Sequence, residues 1–193
     1  MNKRELYRQV AELHVANINR GFLSTLGIGF VALMYRAIDE CENSIFFVEE
    51  HDGRVIGFVA GATGMGPIYK RMLRYWPRLI VAMLPSMVFP RRIWRIFEIM
   101  RYGSGKPSVV LPNAELLSIA VDAEHRGQGH AEALYRRLVD YFQVRGDPAF
   151  KITVGNALAP AHKFYLRMGA VPVTEIQVHK GELSTVYVHY LRS

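Results

Sequence analysis

The spacing of hydrophobic residues divides the first part of the chain into helical and extended segments. Apolar residues recur every three to four positions over residues 3–20 and 30–38, which predicts two N-terminal helices. Runs rich in β-branched and aromatic residues over 44–49 and 55–60 predict two strands, and the Asp-Gly pair between them is a strong hairpin signal. The chain therefore begins with two helices followed by a β-hairpin.

The second half of the chain alternates between strands and helices. A strand-like segment, 108–121, precedes the clearest helical pattern of the sequence, 129–141. The buried stripe of that helix is predicted to be Ala131, Leu134, Leu138 and Phe142. The remaining predicted elements are a strand, a helix and a closing hairpin, over residues 150–154, 159–168, 171–179 and 183–191. This order predicts an α/β fold, a mixed central sheet with helices on both faces.

Length and cysteine content restrict the class of protein further. The 193 residues match one domain, and we expect residues 1–193 to fold as a single unit. Cys41 is the only cysteine, which excludes a disulfide framework or a cysteine-based zinc cluster and favours a reducing compartment. The first residues lack the apolar segment of a signal peptide, and no uncharged stretch reaches the roughly 18 residues of a spanning helix. We therefore expect a cytoplasmic protein.

The positive charge is concentrated in one segment. The net charge is +7, and residues 67–107 hold nine basic residues and one acidic residue, so the rest is close to neutral. The segment is predicted to be an apolar, basic helical insertion interrupted by prolines. Three roles are open for this segment. It would pack on the rest of the domain or on a second subunit in a homodimer, it would bind an anionic membrane surface, or it would cover an anionic acceptor. Such concentrated charge is not typical of nucleic-acid binding, which we do not expect.

A glycine-rich loop between a strand and a helix carries the chemical signal. The strand ends at Val121, and the loop from Arg126 leads directly into the helix. Glycines let the backbone approach a ligand closely, and the unpaired amides of a helix N-terminus bind phosphate. The Walker pattern is absent, and Glu132 occupies the last position of the dinucleotide fingerprint, where a small residue is needed. The loop therefore predicts a diphosphate site of another kind.

Two motifs resemble those of the GNAT superfamily of acetyl-CoA-dependent N-acetyltransferases. Arg126, Gly129 and Ala131 fit its pattern Q/R-x-x-G-x-G/A, and residues 161–170 resemble its later motif A-x-x-F/L-Y-x-x-x-G-F. The resemblance covers most of the chain apart from residues 67–107. It implies a GNAT acyltransferase fold, with that insertion between the third and fourth strands, and acetyl-CoA as cosubstrate.

The resemblance also implies which residues bind acetyl-CoA. The pyrophosphate would be held by the loop residues Arg126, Gly127, Gln128, Gly129, His130 and Ala131. The Ile119 amide would contact the acyl carbonyl, and Val121 would pair with the pantetheine arm. The later motif departs from the family pattern at two positions, since Leu158 replaces an asparagine and Ala170 an aromatic residue. Asn156 is the candidate substitute for the missing asparagine.

The same resemblance implies the catalytic groups. Tyr165 matches the tyrosine that protonates the departing thiolate, and Glu115 matches the general-base glutamate of the histone-acetylating branch, although many relatives use a water chain instead. Strand alternation from Glu115 predicts that this residue, Leu117, Ile119 and Val121 share one face. The histidines near the loop lack an accompanying metal-ligand pattern, so we expect no metal site.

These observations predict an acetyltransferase that acts on a primary amine by direct attack in a ternary complex. Two alternatives stay open. One is a membrane-associated acyltransferase with a lipid-linked or amino-sugar acceptor, peripheral at the inner membrane face. The other is a non-catalytic sensor that binds acetyl-CoA.

Overall fold

The computed structural model describes residues 1–18, 26–79, 109–179 and 182–191. Its helices are α1 (Lys3–Asn17), α2 (Ile28–Asp39), α3 (Gly66–Leu73), α4 (His130–Val144) and α5 (Ala159–Arg167). Its strands are β1 (Ser44–His51), β2 (Arg54–Thr63), β3 (Ala114–Val121), β4 (Ala149–Gly155), β5 (Val171–His179) and β6 (Glu182–Tyr190). Outside the insertion these bounds confirm the predicted elements, with boundaries that differ by a few residues. None of the described helices has the length and apolar character needed to cross a bilayer.

The strands form one mixed sheet of six strands in the order β1-β2-β3-β4-β6-β5. All neighbours are antiparallel except β3 and β4, which are parallel. The parallel pairing joins only three residue pairs, from Ala114–Phe150 to Leu116–Ile152. Beyond Leu116 the two strands are no longer paired, and we call the space between their unpaired parts the gap.

Helices cover both faces of this sheet, as the fold prediction stated. The first core lies under α1, α2 and α3, and its fully buried members include Val10, Val31, Tyr35, Ile38, Phe58 and Ile68. The second core lies under α4 and α5, and its fully buried members include Leu134, Tyr135, Leu138, Phe142, Phe150 and Ile152. Three of the four residues predicted for the stripe of α4 are fully buried, whereas Ala131 is only partly buried.

The position of the insertion needs a correction. The predicted place was between the third and fourth strands, but among the described strands it follows the second strand and precedes the third, β2 and β3. The reason is that the described N-terminal part forms two helices, so the strand count begins only at Ser44. The described part of the insertion begins with α3, which buries Ile68 and Met72 against the first core. The prediction of helices over residues 80–103 lies outside the described residues.

A β-bulge in β3 overturns the predicted shared face. Ser118 lies opposite Ala60, but Leu116 lies opposite Gly61, so Leu117 is an extra residue with no partner on β2. Because a bulge shifts the alternation of side chains, Leu117 packs against the first core, whereas Ile119 packs against the second. The expectation that Glu115, Leu117, Ile119 and Val121 share one face is therefore wrong.

Candidate active site

The gap between β3 and β4 is lined by backbone amides of β3. The amide of Asp122 donates to the carbonyl of Ile56 on β2 at 2.8 Å. Because backbone N–H groups alternate in direction along a strand, those of Val121 and Ile119 point away from β2, toward β4. β4 pairs with β3 only as far as Leu116, so it offers these two amides no strand partner. The gap therefore presents two hydrogen-bond donors, the amides of Ile119 and Val121; their roles toward acetyl-CoA stay predictions.

The glycine-rich loop opens directly onto the N-terminus of α4. Gly127 and Gly129 have φ values of 76° and 87°, and a Cβ added at either would meet nothing within 4 Å. These glycines are thus required by backbone conformation, and the space beside them is open. The first amides of any helix lack intrahelical acceptors, and Gly129, the N-cap of α4, has no side chain that could accept from them. The arrangement suits an anion, since donors and the helix dipole converge there.

Arg126 lies across the entrance to this loop. Its Nε donates to the carbonyl of Val121 at 3.3 Å, and its guanidinium also donates to the side-chain oxygen of Asn17 at the end of α1. Both acceptors are uncharged, so these two contacts hold the side chain in place without neutralising its positive charge. Gln128, in contrast, folds back to donate to the carbonyl of Glu124 at 3.2 Å.

Histidines surround the other side of the loop. His130 Nδ1 lies 2.7 Å from Glu49 Oε2 on β1, and His125 Nδ1 lies 3.2 Å from Asp122 Oδ2. They border a surface depression of about 500 Å³ whose lining is His51, Ile56, Glu124, His125, Gln128 and His130. In the part of the chain that the structure describes, no three side chains of the metal-ligating types are arranged to hold a metal ion. The contact between His130 and Glu49 fixes the first residue of α4 to the sheet.

Tyr165 is buried in the second core, with 6% of its surface exposed. Its ring lies 6.0 Å from that of Tyr135 and 6.3 Å from that of Tyr187, measured between centroids. Burial raises the pKa of Tyr165 above its ordinary value. The side chain is thus a phenol that keeps its proton at neutral pH.

Glu115 lies where β3 is still paired with β4. Its Oε2 is 3.2 Å from Nζ of Lys151, its partner in the parallel register, and the carboxylate is about one-quarter exposed. The charge of Glu115 also contributes, after burial, to a raised pKa of Tyr69 on α3. Glu115 thus lies on the side of α3, whereas Tyr165 lies in the second core on the opposite face of the sheet.

Asn156 is less available than the sequence suggested. Its side-chain nitrogen donates to Glu175 at 2.9 Å, and its oxygen accepts from the Thr185 hydroxyl at 2.9 Å. A ligand would have to compete with both bonds, and a role for Asn156 in binding pantetheine stays a prediction. Nearby, His162 Nδ1 lies 2.7 Å from the Tyr187 hydroxyl and its Nε2 lies 3.1 Å from the Gly155 carbonyl. His162 thereby connects α5 to β4 and β6.

A buried chain of polar side chains, which was not predicted from the sequence, ends next to the gap. Ser118 Oγ lies 2.8 Å from the Tyr35 hydroxyl, which lies 2.6 Å from Nδ1 of His14. All three residues are at most 9% exposed, and burial lowers the pKa of His14 to about 4. The partners are 21 and 83 residues apart, so no local spacing could have revealed them.

Comparison with known proteins gives a family and a set of similar folds. The model of the acetyltransferase (GNAT) family matches residues 18–170. No curated protein matches the chain significantly. Among solved structures, the N-acetyltransferase from Staphylococcus aureus Mu50 has 14% identity and a TM-score of 0.63, with 99% of this chain and 96% of that chain covered.

Two further solved structures share the fold at similar identity. The ribosomal-protein-S18-alanine N-acetyltransferase from Escherichia coli has 18% identity and a TM-score of 0.51, with 82% of this chain and 76% of that chain covered. A protein assigned as a streptothricin acetyltransferase from Bacillus anthracis str. Ames, in complex with acetyl coenzyme A, has 13% identity and a TM-score of 0.53. There the coverage is 82% of this chain and 68% of that chain.

Proposed function

The chain belongs to the GNAT acetyltransferase family, which uses acetyl-CoA, and from this premise we propose that it transfers the acetyl group to a primary amine by direct attack in a ternary complex. The observation that carries the proposal is the gap between β3 and β4. Two unpaired amides, of Ile119 and Val121, face this gap, and it leads to the open N-terminus of α4. The acceptor amine would approach the same gap.

The residues around the gap fit acetyl-CoA. The open space beside Gly127 and Gly129 lets a pyrophosphate reach the first amides of α4, including those of His130 and Ala131. The positive charge of Arg126 would attract the same group, and Gln128 would contribute through its backbone. The Val121 amide would pair with the pantetheine arm.

Three groups of this chain would act on the reaction. When bound, acetyl-CoA supplies an activated acyl group with a thiolate leaving group. The Ile119 amide would donate to the carbonyl oxygen as negative charge develops there, and Tyr165 would donate its proton to the departing sulfur. Either Glu115 or a water chain in its place would accept the proton of the amine, which must be neutral to attack. Burial raises the pKa of Tyr165, so proton transfer to the sulfur would depend on close positioning of the two groups.

The first test is cofactor binding followed by turnover. Calorimetry with CoA and acetyl-CoA should give saturable binding, and a screen of small amines, amino sugars and peptides should release free thiol from acetyl-CoA. Absence of binding by the folded protein would contradict the proposal. Binding without thiol release for any acceptor would favour the sensor alternative.

Tyr165→Phe tests the proton donor. We expect kcat to fall about 100-fold, the lower range for loss of a general acid, with the affinity for CoA unchanged. Tyr135→Phe is a matched control, because Tyr135 is a fully buried tyrosine of the same core whose hydroxyl lies 3.0 Å from Nδ1 of His189. An equal decrease in both variants, or none in Tyr165→Phe at any pH, would remove the assigned role.

A second form of the proposal places the same transfer at an anionic membrane surface. Tyr69, Leu73 and Trp76 are 51%, 67% and 62% exposed, and they follow one another at helical spacing along and beyond α3. Exposed Lys70, Arg74 and Arg78 lie between and beside them, and residues 66–79 contain no acidic residue. We name these six residues the basic stripe. Aromatic and basic groups on one exposed helical surface favour the interface of an anionic bilayer, where a lipid-linked or amino-sugar acceptor would be reached.

Vesicle binding tests this second form. Replacing Lys70, Arg74 and Arg78 by Gln should lower partition into phosphatidylglycerol-containing vesicles at least tenfold, since each basic residue near an anionic surface contributes roughly fivefold. The control replaces three exposed arginines outside the stripe, Arg4, Arg54 and Arg136. Equal partition of the two triple variants would contradict the membrane role. Sedimentation that shows a dimer, lost in the stripe variant, would instead support the homodimer alternative.

A further inference from the structure

We infer that Tyr35 and Ser118 are positioning residues for acetyl transfer, because they hold the backbone amide of Ile119 in its direction toward the gap. The inference rests on the proposed function, in which that amide binds the acyl carbonyl oxygen. It concerns the side of β3 that faces the first core, away from the second core that contains Tyr165.

The link between Ser118 and the Ile119 amide is covalent. The N–H of Ile119 belongs to the same planar peptide group as the carbonyl of Ser118, so the two point in opposite directions. In the register with β2, Ser118 lies opposite Ala60, and the hydrogen bond from Asp122 to Ile56 places the Ser118 carbonyl toward β2. Any rotation of the Ser118 backbone therefore turns the Ile119 N–H away from the gap.

The backbone around Ser118 lacks the support that an inner strand normally has. On one side, β4 no longer pairs with β3 beyond Leu116. On the other, the bulge at Leu117 interrupts the ladder with β2 immediately before Ser118. Pairing with β2 holds Ser118 opposite Ala60, but the bulge beside it increases local twist and leaves Leu117 unpaired, so further contacts of Ser118 add to the definition of the peptide direction.

The buried polar chain provides those contacts. Ser118 Oγ lies 2.8 Å from the hydroxyl of Tyr35 on α2, and that hydroxyl lies 2.6 Å from Nδ1 of His14 on α1. The ring of Tyr35 is itself held by Phe46 and Phe58, with centroids at 5.3 Å and 5.1 Å. The chain thus fixes Ser118 to a ring that is fully buried and packed on several sides.

Stability alone does not account for polar groups at these positions. A buried hydroxyl costs free energy unless it is hydrogen-bonded, and apolar residues of similar size would avoid that cost. His14 Nε2 is buried without a hydrogen-bond partner, so the chain is not even fully satisfied among the described residues. What a hydrogen-bonded chain adds over apolar packing is a defined orientation of its members. In this chain of hydrogen bonds, Ser118 is the residue whose backbone orientation sets the direction of the Ile119 amide.

The test measures polarisation of the bound thioester, which needs no knowledge of the acceptor. The full-length protein is titrated with acetyl-CoA that carries 13C at the acyl carbonyl, and the carbonyl resonance is recorded. A hydrogen bond from Ile119 should move this resonance downfield in the wild type. We expect Tyr35→Phe and Ser118→Ala to lose at least half of that shift, with the affinity for CoA within twofold. With a working acceptor, kcat should fall at least tenfold at an unchanged KM for acetyl-CoA.

The matched control is Tyr7→Phe. Tyr7 is also buried, and its hydroxyl lies 2.6 Å from Asp39, so it bridges α1 and α2 by a hydrogen bond that involves no residue of β3. It should retain both the carbonyl shift and kcat. The double variant of Tyr35→Phe and Ser118→Ala should be no worse than either single variant, and Ser118→Thr should restore the shift. If Ser118→Ala does not fold, Tyr35→Phe, which keeps the ring, decides the question.

The outcomes separate this inference from the proposed function. A wild type that does not bind acetyl-CoA contradicts the proposed function itself. Binding without a downfield shift removes the Ile119 assignment, and with it the positioning role. Normal binding and shift in the wild type, together with an unchanged shift in Tyr35→Phe or an equal loss in Tyr7→Phe, overturns the inference alone.

Discussion

The two cores on opposite faces of the sheet are built from different chemistry. In the second core, rings pack on rings, and the centroids of Phe142 and Phe150 lie 5.2 Å apart. The first core also contains packed rings, but a polar chain from His14 to Ser118 runs through it. The comparison indicates that the second core mainly supplies stability and the buried Tyr165, whereas the first core connects its helices to the backbone of β3.

Removing a ring from the second core should give the largest loss of stability. Phe142 is fully buried, and Phe142→Ala should lower the free energy of unfolding by about 3–5 kcal/mol, because it removes apolar contacts and leaves a cavity. Denaturation followed by circular dichroism measures this loss. Val144→Ala on the same helix, 89% exposed, should change stability by less than about 0.5 kcal/mol. Similar losses in both variants would contradict the assignment of this core.

Low pH should lower the stability of the folded protein through His14, which lies in the first core. Burial lowers the pKa of His14 to about 4 from 6.5, so between these pH values the unfolded chain binds a proton that the folded chain does not. Stability present above pH 6.5 is therefore lost as the pH falls, by roughly 3 kcal/mol at pH 4.

Urea denaturation between pH 7.5 and 4.5 tests the direction of this pH dependence. His14→Gln should reduce the dependence of stability on pH. His51→Gln should leave it unchanged, because His51 is two-thirds exposed. An equal dependence in the wild type and in His14→Gln would show that His14 is not the group responsible.

A methyl group added between β2 and the second core should lower stability by a smaller amount. A Cβ added to Gly61 would lie 2.6 Å from Leu138 Cδ1 and 3.1 Å from Phe142 Cζ, so Gly61→Ala should cost about 1–2 kcal/mol through overpacking. At Gly155 the nearest atom to an added Cβ is Leu158 Cδ1 at 3.9 Å. Gly155→Ala should therefore be close to neutral. Thermal unfolding of both variants measures the difference, and a larger loss of stability at Gly155 than at Gly61 would contradict the packing described.

The sequence predicted the features that depend on local pattern. Helical spacing located α4 and its buried Leu134, Leu138 and Phe142, and the Asp-Gly pair located the first hairpin, where Asp52 and Gly53 both have positive φ. The glycine-rich loop was also recognisable, because its function depends on consecutive residues at a strand-to-helix junction.

The features that were missed depend on distant partners. Leu116 and Leu117 are equally apolar, so nothing in their own sequence shows which is the extra residue of the bulge; the register with Gly61 decides it. The contact between His130 and Glu49 joins residues 81 positions apart. Such pairings arise only when the sheet is assembled, which is why the predicted shared face of β3 failed although the strand itself was found.

The short parallel pairing also has a mechanical consequence. With three residue pairs between β3 and β4, the sheet consists of two three-stranded halves joined along a narrow seam. A ligand that lies in the open part of the seam would touch both halves and bridge them as an additional strand would. Its binding free energy would then stabilise the whole domain. Helices that do not contact the ligand would therefore unfold at a higher temperature when the ligand is bound.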